Sequence, residues 1–132
     1  MTLTYLATPY SKYPGGLEAA HRDACLAAAS LLRAGVNIYS PIAHTHAIAM
    51  IGGFDPTTPE NHAALLAYDE VMLDRCDELI VVMMPGWERS KGIEHEVRYF
   101  TLADKPIRYV AWPDILTGPA PTPQVEDTRL VP

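Results

Sequence analysis

Two glutamates, Glu94 and Glu96, stand two positions apart in the stretch SKGIEHE (90–96), which also holds a glycine and follows the most apolar run of the chain. A carboxylate in such a place can attack an electrophilic carbon, stabilise a cationic centre or exchange a proton. Acids also collect near helix starts simply because the positive end of the backbone dipole favours them. Ile93, Val97 and Phe100 form an apolar stripe at helical spacing, and at roughly 100° per residue Glu94 and Glu96 lie about equally far to either side of it. Periodicity therefore leaves both glutamates, and the plain helix-start reading, open. The dipole argues for an ionised carboxylate, suited to a nucleophile or an electrostatic stabiliser.

Three loops offer further polar groups. ATPYSKY (7–13) carries Thr8, Pro9, Ser11 and Lys12; SPIAHTH (40–46) carries His44 and His46; MPGWERSKG (84–92) carries Trp87, Ser90 and Gly92. Ser11, Lys12 and Ser90 suit a phosphate held at a helix N-terminus, although serine and lysine are also common loop residues. Trp87 has a ring that can stack on a base or pack on its own loop. Of His44 and His46, one is expected to face the pocket and the other the surface. His44 and His46 also read as a metal-ligand pair to which Glu60 and His62 could be added, but a His-x-His pair without a third ligand at characteristic spacing is a weak signal, so no metal is expected. His21 and His95 are expected to face solvent.

The elements that must position these loops follow from the pattern. TLTYLAT (2–8) reads as a buried first strand, LEAAHRDACLAAASLLRAG as an Ala- and Leu-rich helix stopped at Gly35, and VNIYSP (36–41) as a second strand. IAHTHAIAMIGGFDPTT is read as a short helical turn and a loop. Thr58, Pro59 and Glu60 supply an N-cap, a first-turn proline and an early acid for a helix from 59 to about 76. ELIVVMM (78–84) is a continuous apolar run, as in a parallel strand covered on both faces. A helix over KGIEHEVRYFTLADK and a strand at 107–112 complete the order. Alternation of strand and helix implies a small doubly wound α/β fold of flavodoxin or Rossmann type, with four to five parallel strands and helices on both faces. In such sheets ligands bind at the carboxyl ends of the strands, where the three loops converge.

The chain has 132 residues, enough for one core. Residues 1–112 are assigned to a single domain and 113–132 to an extended proline-rich tail. The net charge of −6 argues against a nucleic-acid backbone as partner. LIVVMM is too short to span a bilayer, and the N-terminus carries no signal-peptide pattern, so a cytoplasmic protein is expected. Cys25 and Cys76 fall in helices and need no redox role.

Three segments carry a resemblance. YLATPYS (5–11), YDEVMLDRCDELIVV (68–82) and SKGIEHE resemble the nucleoside 2-deoxyribosyltransferase superfamily, which includes the deoxynucleoside 5′-monophosphate N-glycosidases. The likeness covers most of residues 3–104. In that superfamily a nucleophilic glutamate follows a glycine by four residues, which selects Glu96 after Gly92. Ser90 falls where the nucleotide hydrolases tend to carry a serine. Asp69 and Asp77 match an aspartate pair, the first near sugar and base, and Tyr5 matches an aromatic residue beneath the ligand. The resemblance implies cleavage or transfer at the N-glycosidic bond of a nucleoside or its 5′-monophosphate, with Glu96 and Asp69 catalytic, no cofactor, and a homodimer or larger assembly. The loop before Gly92 departs from the transferase pattern, which motivates an alternative: a non-catalytic nucleotide-binding or sensing module of the same fold.

Overall fold

The computed structural model describes residues 1–117. Four strands, β1 (Thr4–Ala7), β2 (Ile38–Tyr39), β3 (Glu78–Met83) and β4 (Ile107–Ala111), pair in parallel in the order β2-β1-β3-β4. Five α-helices connect or follow them: α1 (Leu17–Arg33), α2 (Pro41–Gly52), α3 (Pro59–Arg75), α4 (Lys91–Leu102) and α5 (Trp112–Thr117). A single 3₁₀ turn lies at Trp87–Arg89. The expected doubly wound α/β fold is what the chain adopts. No helix among the described residues is long and apolar enough to cross a membrane.

Alternation along the strands divides the core into two layers. Leu6, Ile80, Val82 and Val110 face α1 and α5, where Ala20, Ala27, Ala28 and Leu31 pack. Buried Ala20, Ala24 and Ala27, spaced by four and three, let α1 lie close to the sheet. Tyr5, Ala7, Leu79, Val81 and Tyr109 face the other way, against Leu73 of α3 and Ile93 and Phe100 of α4.

Two elements differ from the sequence reading. Residues 41–52 form a three-turn helix rather than a short turn. The Ser40 side chain caps it by accepting from the Ala43 N–H at 3.1 Å, Pro41 occupies the first turn, and Gly53 closes it in the left-handed region at φ 77°. The segment from Pro113 begins as α5 rather than as an extended tail. Its Ile115 is buried in the α1-side core, so the packed domain runs past residue 112; residues 118–132 of the assigned tail lie outside the described residues. Ile115→Ala is expected to cost about 2–4 kcal/mol of stability by leaving a cavity, measurable by urea unfolding. A tail that did not pack would leave the midpoint unchanged.

Candidate active site

Chain order takes β1 to β2 on one side and then back across to β3 on the other, so a crevice opens at their carboxyl ends. It holds a cavity of about 500 Å³ floored by Tyr5 and walled by the starts of α2 and α4 and the inner face of α3. That size suits a small organic molecule. Of the sequence-derived candidates, Tyr5, Thr8, Ser11, Asp69, Ser90, Gly92 and Glu96 all line it.

Local structure explains how α4 presents its groups. The Ser90 hydroxyl oxygen accepts from the Ile93 N–H at 3.2 Å and caps the helix, so Ser90, Lys91 and Gly92 form one lip of the cavity. A turn later Ile93 points to the sheet and Glu96 into the cavity. Glu94 lies on the outer side, 58% exposed and 3.5 Å from Arg98 in an i, i+4 pair. The two glutamates that periodicity could not separate are thus in different environments.

Those environments set the charges. Burial pushes the Glu96 carboxyl up to about 8; the nearby Asp69 charge adds to the rise, while interaction with the Tyr5 hydroxyl opposes it. Glu96 keeps some accessible surface and lines the cavity. Asp69 is raised to about 6 by burial. The Tyr5 hydroxyl is held protonated by burial first and then by the Glu96 and Asp69 charges. The ionised Glu96 expected from the helix dipole is therefore corrected: that field falls off within the first turn, and desolvation at a side chain deeper in the helix outweighs it.

Several buried polar atoms here have no hydrogen-bond partner among the described residues. They are the Tyr5 hydroxyl, Thr8 Oγ1, Asp69 Oδ1 and His95 Nε2, and each belongs to a residue lining the cavity. His95 Nε2 lies 3.2 Å from Glu70 Oε1, near enough for charge attraction but not aligned as a hydrogen bond. Unpaired buried groups are costly, so Thr8 Oγ1 and Asp69 Oδ1, with a Tyr5 hydroxyl that only the Glu96 side chain approaches, mark a surface made to receive polar atoms of a ligand.

Four candidates lie elsewhere. Asp77 sits at the amino end of β3, where its carboxylate accepts from the Leu3 N–H at 2.8 Å and ties β1 to β3; at about 3.3 Å per residue it is roughly 20 Å from the cavity end of that strand. His44 is exposed between the rings of Tyr39 and Tyr68, because the helical path of α2 turns Pro41, Ile42 and Thr45 to the cavity instead. Trp87 packs on Tyr109, with ring centroids 5.5 Å apart, and serves the core. Pro9 follows β1 between the lining residues Thr8 and Tyr10 without lining the cavity itself.

The structure also adds groups. His95, expected in solvent, lines the cavity because α3 covers a flank of α4 that an apolar wheel cannot reveal. Lys91, rather than the exposed Lys12, is the lysine at the site, with Tyr10 and His62 also on the walls. His44, His46, Glu60 and His62 do not come together as a ligand set. Among the described residues the three that could share a metal ion are Glu18, His21 and His46, outside the cavity lining.

Residues 2–112 match a protein-family model described as "Domain of unknown function (DUF1937)", a region reaching from just before β1 to the first residue of α5. No curated protein matches the chain.

Proposed function

The chain belongs to the DUF1937 family, and from the site it carries we propose that it cleaves or transfers the N-glycosidic bond of a nucleoside 5′-monophosphate, with Glu96 as nucleophile and Asp69 as proton donor. The observation that carries this reading is a pair of half-buried carboxyl groups, both with raised and unequal proton affinities, in one cavity, above a tyrosine whose hydroxyl has no other partner. Two carboxyl groups with separated pKa values are what glycoside cleavage through an oxocarbenium-like centre requires.

Near neutral pH the pair holds about one proton. In the empty site that proton rests mainly on Glu96. The reactive arrangement moves it to Asp69, leaving the Glu96 carboxylate to accept from the Tyr5 hydroxyl. With the two values near 8 and 6 and the Asp69 charge itself part of the rise at Glu96, this costs at most roughly 2–3 kcal/mol, within what substrate contacts supply. Glu96 then bonds to the anomeric carbon as the base departs, and Asp69 gives its proton to the base. Water attacking the glycosyl ester completes hydrolysis; a second base completes transfer. Ser11, Ser90 and Lys91, beside the N-terminus of α4, favour a 5′-phosphate over a free hydroxyl. The same reading implies a homodimer or larger assembly, for which α3 offers exposed Tyr68 and Val71.

The test is chromatographic detection of free base from a panel of ribo- and deoxyribonucleosides and their 5′-monophosphates, with and without an acceptor base. Release from at least one monophosphate is expected. Saturable binding of a nucleotide with no release from any substrate would replace this reading with the non-catalytic binding module. If the singly protonated pair is the working form, kcat/KM falls below about pH 6, where both carboxyl groups are protonated, and above about pH 8, where both are ionised. A profile that is flat from pH 5 to 9 would remove the pair from the chemistry.

A further inference from the structure

At the contact between α1 and α2, away from the two carboxyl groups, three potential metal ligands meet. Glu18 and His21, three residues apart, project from one face of α1. His46 comes from α2, and its side chain is 2% exposed. Both of its ring nitrogens are engaged: Nδ1 lies 2.6 Å from the Tyr10 hydroxyl and Nε2 lies 2.8 Å from Glu18 Oε1. The His21 ring stacks on that of His46, with centroids 4.5 Å apart, and its Nε2 is 3.5 Å from Cys25 Sγ. One ligand atom from each of Glu18, His21 and His46 lies within 4.8 Å of the other two.

We propose that Glu18, His21 and His46 form a binding site for a divalent transition-metal ion of the zinc class, bound through two imidazoles and a carboxylate with its remaining positions open to solvent. The donor set suits such an ion, whereas calcium and magnesium prefer oxygen alone. A glutamate and a histidine three apart on one helix, faced by a ligand from a second helix, is how helical proteins bring metal ligands together. The partner of His46 Nδ1 is already in place: a metal-bound imidazole carries its proton on the other nitrogen and donates it to an outer group, here the Tyr10 oxygen.

The adjustment needed is small and falls on mobile side chains. Zinc bonds of about 2.0–2.1 Å set tetrahedral ligand atoms about 3.3 Å apart, so Glu18 must withdraw a few tenths of an ångström and His21 must turn from its stacked position. Glu18 is 77% exposed and His21 is half-buried, so both can move while His46 stays fixed in the core. The change reaches the cavity through Tyr10, which lines it. Without metal, His46 is held between the Tyr10 hydroxyl at Nδ1 and the Glu18 carboxylate at Nε2. Metal on Nε2 fixes the ring proton on Nδ1, where the Tyr10 oxygen accepts it. The inference does not depend on the reaction proposed above.

The test uses the untagged full chain, freed of metal by chelator. It is titrated with Zn(II) by calorimetry and with Co(II) by visible absorption, alongside Glu18→Gln, His21→Gln, the double variant and His44→Gln. One equivalent should bind, each single variant should bind at least tenfold more weakly, the double variant should not bind, and His44→Gln should match wild type. Imidazole nitrogen NMR of the wild-type chain covers the case of a variant that fails to fold: Zn(II) should shift His21 and His46 but not His44 or His62. Absence of one-to-one binding, wild-type affinity in the double variant, or shifts confined to other histidines would each overturn the site.

Discussion

Glu96→Gln is expected to reduce base release by about 10³-fold or more, the scale of losing a group that acts in the transition state, while Glu94→Gln stays close to wild type. Glutamine keeps the volume of glutamate and can occupy the same place in α4, so packing against Tyr5 is retained. It can neither form the glycosyl ester nor share a proton with Asp69. Glu94 is exposed and paired with Arg98 on the outer side of the helix, where an i, i+4 pair contributes only a few tenths of a kcal/mol. Both variants should melt cooperatively, which separates lost chemistry from lost fold. Equal activities for the two variants would remove Glu96 from the mechanism, and equal losses would point to a general disturbance of α4.

The same substitution has a second large effect that needs no substrate. Wild-type Glu96 takes up its proton in the folded chain at about 8, against an ordinary value of 4.5. Between these values the folded state binds more protons than the unfolded state, so stability declines as pH rises through the window. Below about pH 4.5 both states carry the proton and there is no penalty; above about pH 8 the penalty is complete. Full conversion of that difference gives just under 5 kcal/mol; because water reaches the group through the cavity, roughly 2–4 kcal/mol is expected. Glu96→Gln should therefore lie within about 1 kcal/mol of wild type at pH 5 and melt about 10 °C higher at pH 9. Glu94→Gln should show no such divergence. Melting curves at the two pH values decide it: a Glu96→Gln difference independent of pH would mean that the carboxyl is not desolvated. A site that weakens the fold at working pH is what binding groups held ready for a ligand tend to impose.

Much of the scaffold was legible in local pattern. The apolar run ELIVVMM marked β3 as a strand covered on both sides, and Thr58-Pro59-Glu60 marked the start of α3 at Pro59. Those signals are local because capping bonds join residues near in sequence and a continuous apolar run is read from adjacent residues. Less legible was α2, where helix-forming residues mix with two histidines and a Gly-Gly pair, and where Ser40 and Gly53 bound a longer helix than the composition suggests. Ile115 was hidden among prolines, since its partners lie in the α1-side core far away in sequence.

The candidate site divides along the same line. Thr8, Ser11 and Ser90 follow from two rules, that ligands sit at the carboxyl ends of parallel strands and that the loops there converge, whereas Tyr5, Asp69, Gly92 and Glu96 came from the resemblance and line the same cavity. Asp77 and His44 failed because the first stands at the opposite end of its strand and the second on the wrong face of a helix whose extent was misread. His95, Lys91 and Tyr10 were missed because what each faces is decided by neighbouring elements and not by its own.

By itself, then, the sequence determined the four parallel strands, α1, α3 and α4 and the end of the sheet where a ligand would sit, but not the extent of α2 or the presence of α5, because periodicity and capping are properties of neighbouring residues. Only the tertiary structure decided that Glu96 and not Glu94 faces the cavity, that burial rather than the helix dipole sets its proton affinity, and that His46 meets Glu18 and His21. Desolvation and side-chain encounter depend on what other elements bring to the same point in space.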